Sequence, residues 1–226
     1  MFKITALTAG VRDKSRVNVW IDGKFRFSLS LAQVADFHLR SGRELDADEL
    51  AELEEESAYG KVYIRALEHV LARPRSKKEL HDYLWRKTVA RKVRTKDGAV
   101  VDKPGVSKKV VDRVEDALIQ KGHVNDEKFA RYWVENRNLR RGISMKKISL
   151  ELYQKGIDKT IIDRIMKESG RSDEDELVKI INKKASRYDD PRKLIAYLAR
   201  QGFAYDDINR ALSTRAEIEA SLSEMD

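Results

Sequence analysis

Arg73-Pro-Arg-Ser-Lys-Lys-Glu-Leu-His-Asp-Tyr-Leu84, Arg141-Gly-Ile-Ser-Met-Lys-Lys-Ile-Ser-Leu-Glu-Leu152 and Arg187-Tyr-Asp-Asp-Pro-Arg-Lys-Leu-Ile-Ala-Tyr-Leu198 are three copies of one pattern. With Ser76, Ser144 and Asp190 aligned, an arginine stands three residues before each, and Lys78, Lys146 or Arg192 stands two residues after. Leu80, Ile148 and Leu194 follow at four residues and Leu84, Leu152 and Leu198 at eight, which places each pair on one helix face. Ser76-x-x-Glu79 has the form of a capping box, and Asp190-Pro191 sets a carboxylate cap before a first-turn proline. Twelve residues on, Gly156 and Gly202 supply the left-handed residue that ends a helix; the first copy has Thr88 there. Matching triplets, Val111-Asp-Arg113, Ile162-Asp-Arg164 and Ile208-Asn-Arg210, close the copies.

Repetition at this period predicts stacked helical units with a continuous core. Each copy reads as three short helices with a tight turn between the last two, a geometry like helix-turn-helix that does not by itself imply DNA binding. The second copy predicts helices over 126–139, 146–154 and 159–168, and the third over 173–186, 191–200 and 205–212. Phe129, Tyr132 and Trp133 share a helical spacing and are read as packing residues rather than base-stacking ones.

Upstream, Arg16-Val-Asn-Val-Trp-Ile21 and Lys24-Phe-Arg-Phe-Ser28 alternate around Asp22-Gly23, a hairpin signal because both turn residues need positive φ. A strand over 3–8 completes a three-stranded antiparallel sheet with Val17, Val19, Ile21, Phe25 and Phe27 on one face. A sheet this small needs a cover, and residues 30–39 supply a helix for it. From Asp46 to about Ala72 the chain reads helical, acidic at its N-terminal end where the dipole favours acids, with Gly60 a candidate break. The fold class is therefore mainly α: an elongated array of tandem three-helix repeats behind a small N-terminal antiparallel β-sheet domain. The expected domains are 1–45 for the sheet and 46–122 for the first repeat with a basic insertion at 89–106. The second repeat follows at 123–169, and the third, with a tail, at 170–226. Within the insertion, Lys96-Asp97-Gly98 between valines fits a short hairpin or an unstructured basic loop equally.

The chain of 226 residues is long enough for more than one small core. It has no cysteine, which removes disulfides and thiol chemistry. No apolar run approaches a membrane span and no signal-peptide core opens the chain, so the expectation is a cytoplasmic protein with no membrane partner. The net charge is +8, concentrated in residues 61–122, where 17 bases face 8 acids. A basic middle suits nucleic acid or an acidic protein groove, and a solvated helical surface is the bland alternative. There is no phosphate-binding glycine loop, no metal-ligand spacing and no catalytic constellation among the four scattered histidines, so no enzyme, no cofactor and no metal are expected.

The segments Ala66–Leu84, Gly122–Val134 and Arg141–Ile157 together resemble the RecX family of bacterial regulators of the RecA recombinase. The carrying residues are Arg-Pro-Arg-Ser76, then Asp-x-x-Phe129-Ala, then Glu-Leu-x-x-Lys-Gly156-Ile. The resemblance covers most of residues 1–212 and leaves out the insertion. It implies a non-enzymatic modulator, usually an inhibitor, that lodges in the groove of the RecA–DNA filament. There it would hinder ATP hydrolysis, strand exchange and coprotease activity. Family members of this kind also bind single- and double-stranded DNA, and a monomer is expected. The alternative is a stand-alone helical-repeat DNA-binding protein with no recombinase partner.

Basic side chains beside a helix N-terminus add to the potential of its free amides, so contact residues are expected there. They are Arg73, Arg75, Lys77 and Lys78 at the first cap, and Arg137, Arg140, Arg141, Lys146 and Lys147 at the second. Arg187 and Arg192 flank the third cap, and Arg91, Lys92, Arg94 and Lys96 lie in the insertion. Arg113, Arg164 and Arg210 suit ion pairs with an adjacent helix at least as well as an external partner.

Overall fold

The N-terminal hairpin forms as its turn dictates: Asp22 and Gly23 take φ of 49° and 78° between β2 (Arg16–Ile21) and β3 (Lys24–Ser30). β1 (Phe2–Ala9) pairs antiparallel with β2, and a short β4 (Glu44–Leu45) pairs with the other edge of β1, giving the order β3-β2-β1-β4. The fourth strand was not legible because two residues carry no alternation. The computed structural model describes every residue except 12, 96, 138–141, 189 and 224–226, and from residue 218 onward the backbone alone.

Two expectations for this sheet are corrected. Phe25 is 52% exposed, whereas Phe27 is buried. The register runs Trp20↔Phe25 and then Val19↔Phe27, so Arg26 is an extra residue in a β-bulge, and the bulge puts the two phenylalanines on opposite faces. Residues 30–39 also share the cover with a later helix. α1 (Leu31–Asp36), capped by Ser30 and Gln33, is too short and buries no side chain. Leu50 and Leu53 of α2 (Ala47–Leu71) complete the sheet core with Ile4, Val19, Phe27 and Leu29, while Leu39 is buried in it and Val34 and Phe37 lie against it.

α2 runs unbroken through Gly60, a helical position where an added Cβ would lie 3.1 Å from Gln33 Oε1. The glycine makes room for Gln33, whose amide donates to the Glu56 carbonyl at 2.9 Å. The C-terminal half of the same helix starts the first repeat: Val62, Ala66 and Val70 pack with Leu80 and Leu84 of α3 (Lys77–Thr88) and with Val111, Val114 and Leu118 of α4 (Lys108–Gln120). Between α3 and α4 the insertion is a hairpin, β5 (Arg91–Arg94) with β6 (Val100–Lys103), in register from Arg91↔Lys103 to Arg94↔Val100. Its base is closed by Val106 N donating to the Lys87 carbonyl at 2.9 Å.

The second repeat is α5 (Asp126–Asn136), α6 (Met145–Gln154) and α7 (Lys159–Glu168). The third is α8 (Asp173–Lys184), a 3-10 turn at Ala185–Arg187, α9 (Pro191–Arg200) and α10 (Tyr205–Ser223). α10 outruns the expected end at residue 212, since the segment after it holds good helix formers and neither Gly nor Pro. Each repeat has its own core, and the aligned apolar positions Leu80, Ile148, Leu194, Leu84, Leu152 and Leu198 are all at most 3% exposed. Every such leucine or isoleucine contributes on the order of 1.5–3 kcal/mol by leaving water. Phe129 is fully buried and Trp133 partly so, its indole N–H donating to Glu151 at 3.0 Å, so both are packing residues.

By packing, the chain divides into two units: Met1–Arg73 with Leu80–Val124, and Pro74–Glu79 with Asn125–Asp226.

Candidate partner and nucleic-acid interface

The aligned cap residues of the second unit are set by a recurring arrangement. Ser76 Oγ accepts from Glu79 N and Ser144 Oγ from Lys147 N, each at 3.1 Å, and Asp190 Oδ1 accepts from Arg192 N at 2.9 Å. One residue after the cap, Lys77 N donates to Asp126 at 2.8 Å and Met145 N donates to Asp173 at 2.6 Å. A carboxylate from the first helix of the following repeat thus satisfies a second orphan amide. Burial raises the pKa of Asp173, and the Met145 hydrogen bond opposes that rise.

The lysines nearby turn toward the far end of the next middle helix. Lys78 Nζ donates to the Gln154 carbonyl at 3.0 Å, and Lys147 Nζ to the Arg200 carbonyl at 2.6 Å. A cation at a helix C-terminus meets unpaired carbonyls and the negative end of the dipole. Ser76 Oγ also donates to the Lys155 carbonyl at 2.8 Å, and Ser144 N to the Gln201 carbonyl at 3.1 Å. Gly156 and Gly202 permit this approach. Both have positive φ, and a Cβ would meet Lys78 Cβ at 2.8 Å in one case and Lys147 Cβ at 2.9 Å in the other.

The expected contact residues therefore fall into different surroundings. Lys78, though exposed, and the half-buried Lys147 donate to main-chain carbonyls, and the Arg137 guanidinium pairs with Glu151 at 2.6 and 2.9 Å beside the Trp133 ring. The Glu151 carboxylate raises the Arg137 pKa. Arg73 and Arg75 are half-buried, Arg75 lying 3.9 Å from Glu79. Lys77, Lys146, Arg187 and Arg192 expose their side chains, as do Arg91, Lys92 and Arg94 on the hairpin. Lys96, Arg140 and Arg141 lie outside the described residues. Arg113 and Arg164 of the repeat triplets pair with the first helix of their own repeat, Arg113 with Glu56 at 2.7 Å and Arg164 with Glu127 at 2.9 Å; Arg210 reaches Asp207 of its own helix at 3.5 Å.

A second basic region, in the first unit, joins Arg91 and Lys103 of the basic insertion to residues that were not singled out from sequence. β3, α2, the end of α3 and the inner face of the hairpin enclose a cavity of about 810 Å³. Lys61, Arg65, Arg86, Arg91 and Lys103 line it, beside Phe25, Val89 and Val106. Its one carboxylate, Glu54, is held by Arg26 at 2.5 Å. Burial lowers the Lys61 pKa, and the positive charges of Arg16, Lys103 and Arg65 lower it further. Lys61 and Lys103 stand 42 residues apart in the chain, and for Lys61 and Arg65 only the charge excess of residues 61–122 hinted at a site. Among the described residues, no group of three or more His, Asp or Glu side chains is placed to hold a metal ion. Likewise, no described helix is long and apolar enough to cross a membrane.

Residues 2–46, which build the sheet, match the regulatory protein RecX N-terminal domain, and residues 125–166 match the RecX second three-helix domain. The chain is thus similar to RecX proteins in its sheet domain and in its second repeat. A regulatory protein RecX from Bacillus licheniformis is 29% identical over 92% of this chain and 76% of its own length. One from Clostridium tetani is 28% identical over 93% of each. A crystal structure of a regulatory protein RecX shares the fold with a TM-score of 0.64, at 20% identity, covering 94% of this chain and all of its own. The RecX domain matches fall on the sheet and on the repeat that carries Ser144 and Gly156, and neither includes the hairpin at 91–103.

Proposed function

We propose that this chain modulates a RecA recombinase, binding in the groove of the RecA–DNA filament and suppressing ATP hydrolysis, strand exchange and coprotease activity. The observation that carries this reading is similarity to regulatory RecX proteins along more than nine-tenths of the chain. The exposed cations support it. Lys77, Lys146, Arg187 and Arg192 recur beside the middle-helix caps and are available to acidic side chains or phosphates. Arg91, Lys92 and Arg94 add accessory contact with DNA, single- or double-stranded.

The test is ATP hydrolysis by preformed RecA filaments on single-stranded DNA, with this protein added well below the concentration of DNA sites. Inhibition is expected, because competition for DNA cannot displace RecA while most sites remain free. Inhibition only at saturation of the DNA would overturn the reading and leave a stand-alone DNA-binding protein.

A further inference from the structure

Seven cations line the cavity of the first unit; Arg26 pairs with Glu54, and Lys61, Arg65, Arg86, Lys87, Arg91 and Lys103 have no carboxylate partner among the described residues. Glu54, the one acid in the wall, is already engaged by Arg26. Like charges gathered around a concave, partly desolvated space repel one another: at Lys61 burial is the larger cause of the lowered pKa, and the charges of Arg16, Lys103 and Arg65 add to it. Such a field is complemented by an anion from outside.

The wall is not only basic. Phe25 is 52% exposed because the bulge at Arg26 turns it off the core, and Val89 is 57% exposed at the hairpin base. The volume, about 810 Å³, lies inside the roughly 300–1,000 Å³ of small-ligand sites. An inorganic anion would leave these apolar surfaces wet. A nucleotide presents phosphate to the cations and a flat ring to Phe25. The hairpin register carries the basic surface onward: Arg91 and Lys103 share the face toward the cavity, while Lys92 and Arg94 lie on the opposite face.

We infer that this cavity is a binding site for single-stranded nucleic acid, seating one nucleotide against Phe25 with its phosphates on Lys61, Arg65, Arg91 and Lys103. A duplex keeps its base faces stacked and has no ring to offer Phe25, so the site selects unpaired strand. The inference rests on the nucleic-acid side of the proposed function but places the contact at a site distinct from the helix caps.

The experiment is fluorescence anisotropy of the full chain with a labelled twelve-residue oligothymidylate, and with a duplex of equal length, across a salt series. Lys61→Gln with Arg91→Gln should weaken oligothymidylate binding at least tenfold and flatten the salt slope by about 1.4, at roughly 0.7 per lost phosphate contact on a single strand. Phe25→Ala, an exposed position, should weaken it by roughly 5- to 150-fold with the slope unchanged, as expected for one lost stacking contact. Duplex binding should change little with Phe25→Ala. Wild-type affinity in both variants would overturn the inference, as would an equal loss for strand and duplex. So would displacement of the oligonucleotide by micromolar ATP, which would give the cavity to a free nucleotide. Circular dichroism melts confirm that the variants are folded. Measured in parallel, RecA ATP hydrolysis separates the two readings. Inhibition retained with strand binding unaffected by the variants sinks the cavity site alone. Strand binding mapped here without inhibition sinks the RecA reading alone.

Discussion

The caps of α3 and α6 and the cavity beside the hairpin are both rich in lysine and arginine, yet their cations stand in opposite electrostatic positions. Lys78 and Lys147 end on carbonyl oxygens at helix C-termini, and Arg137 ends on Glu151. Around the cavity, Lys61, Arg65 and Lys103 face one another. A basic residue near a repeated helix cap is thus no guide to a free surface. What separates structural cations from those available to a ligand is the supply of acceptors, and that supply is fixed by which chain ends meet.

The largest effect should come from filling a cap joint. Gly202 has φ of 94° and lies against Ser144 and Lys147, so Gly202→Val combines backbone strain with overlap and should cost roughly 2–5 kcal/mol in urea unfolding. Gly98, with φ of 83° and open space around it, should lose only about 1–2 kcal/mol as Gly98→Ala. Equal losses would mean that the joint is not packed. Next in size, Lys147→Met removes a charged hydrogen bond from a half-buried side chain and should cost about 1 kcal/mol. Lys61→Met should move the other way, leaving the melting temperature unchanged or higher and reducing the gain from added salt. A clear loss at Lys61 would show that it has an internal partner and break the contrast.

The smallest effect is a pH dependence. Hydrogen bonds from Arg164 and Arg131 hold the Glu127 pKa below the ordinary glutamate value. Its contribution is therefore present above the ordinary glutamate range and lost as pH falls through the lowered value. The raised pKa of Asp173 acts with the opposite sign: protonation on acidification favours the folded state. Glu127→Gln should flatten the acid limb of stability measured by thermal melts from pH 7 to 3. Asp173→Asn, which keeps an acceptor for Met145 N, should raise stability at neutral pH and steepen that limb.

Much of the fold was legible because its signals are local. Asp22-Gly23 permits one kind of turn, Ser144 and Asp190 mark helix starts with their own side chains, and the apolar pairs four residues apart can share only one helix face. Phe25 was misplaced because a bulge is a property of two strands in register. The segment 30–39 covers only part of the sheet, and Leu50 and Leu53 of α2 supply the rest, a sharing that depends on where a later helix packs. The candidate contacts were less legible. Lys78, Lys147 and Arg137 are indistinguishable in sequence from Lys77 and Lys146, and only the position of Gln154, Arg200 and Glu151 separates them.

By itself, the sequence determined that three capped helical repeats follow a small sheet, that the aligned leucines and isoleucines four and eight residues past each cap are inside, and that residues 61–122 carry the charge excess. Each of these depends on neighbours within about a dozen residues, the reach of a helix turn, a cap or a hairpin. Tertiary structure alone decided which cations are neutralised and which are not. It also gave Gly156 and Gly202 a second reason to be glycine, the close approach of Lys78 and Lys147. And it gathered Phe25, Lys61 and Lys103 around one cavity, because burial and Coulomb interaction act through space between segments that the chain holds far apart.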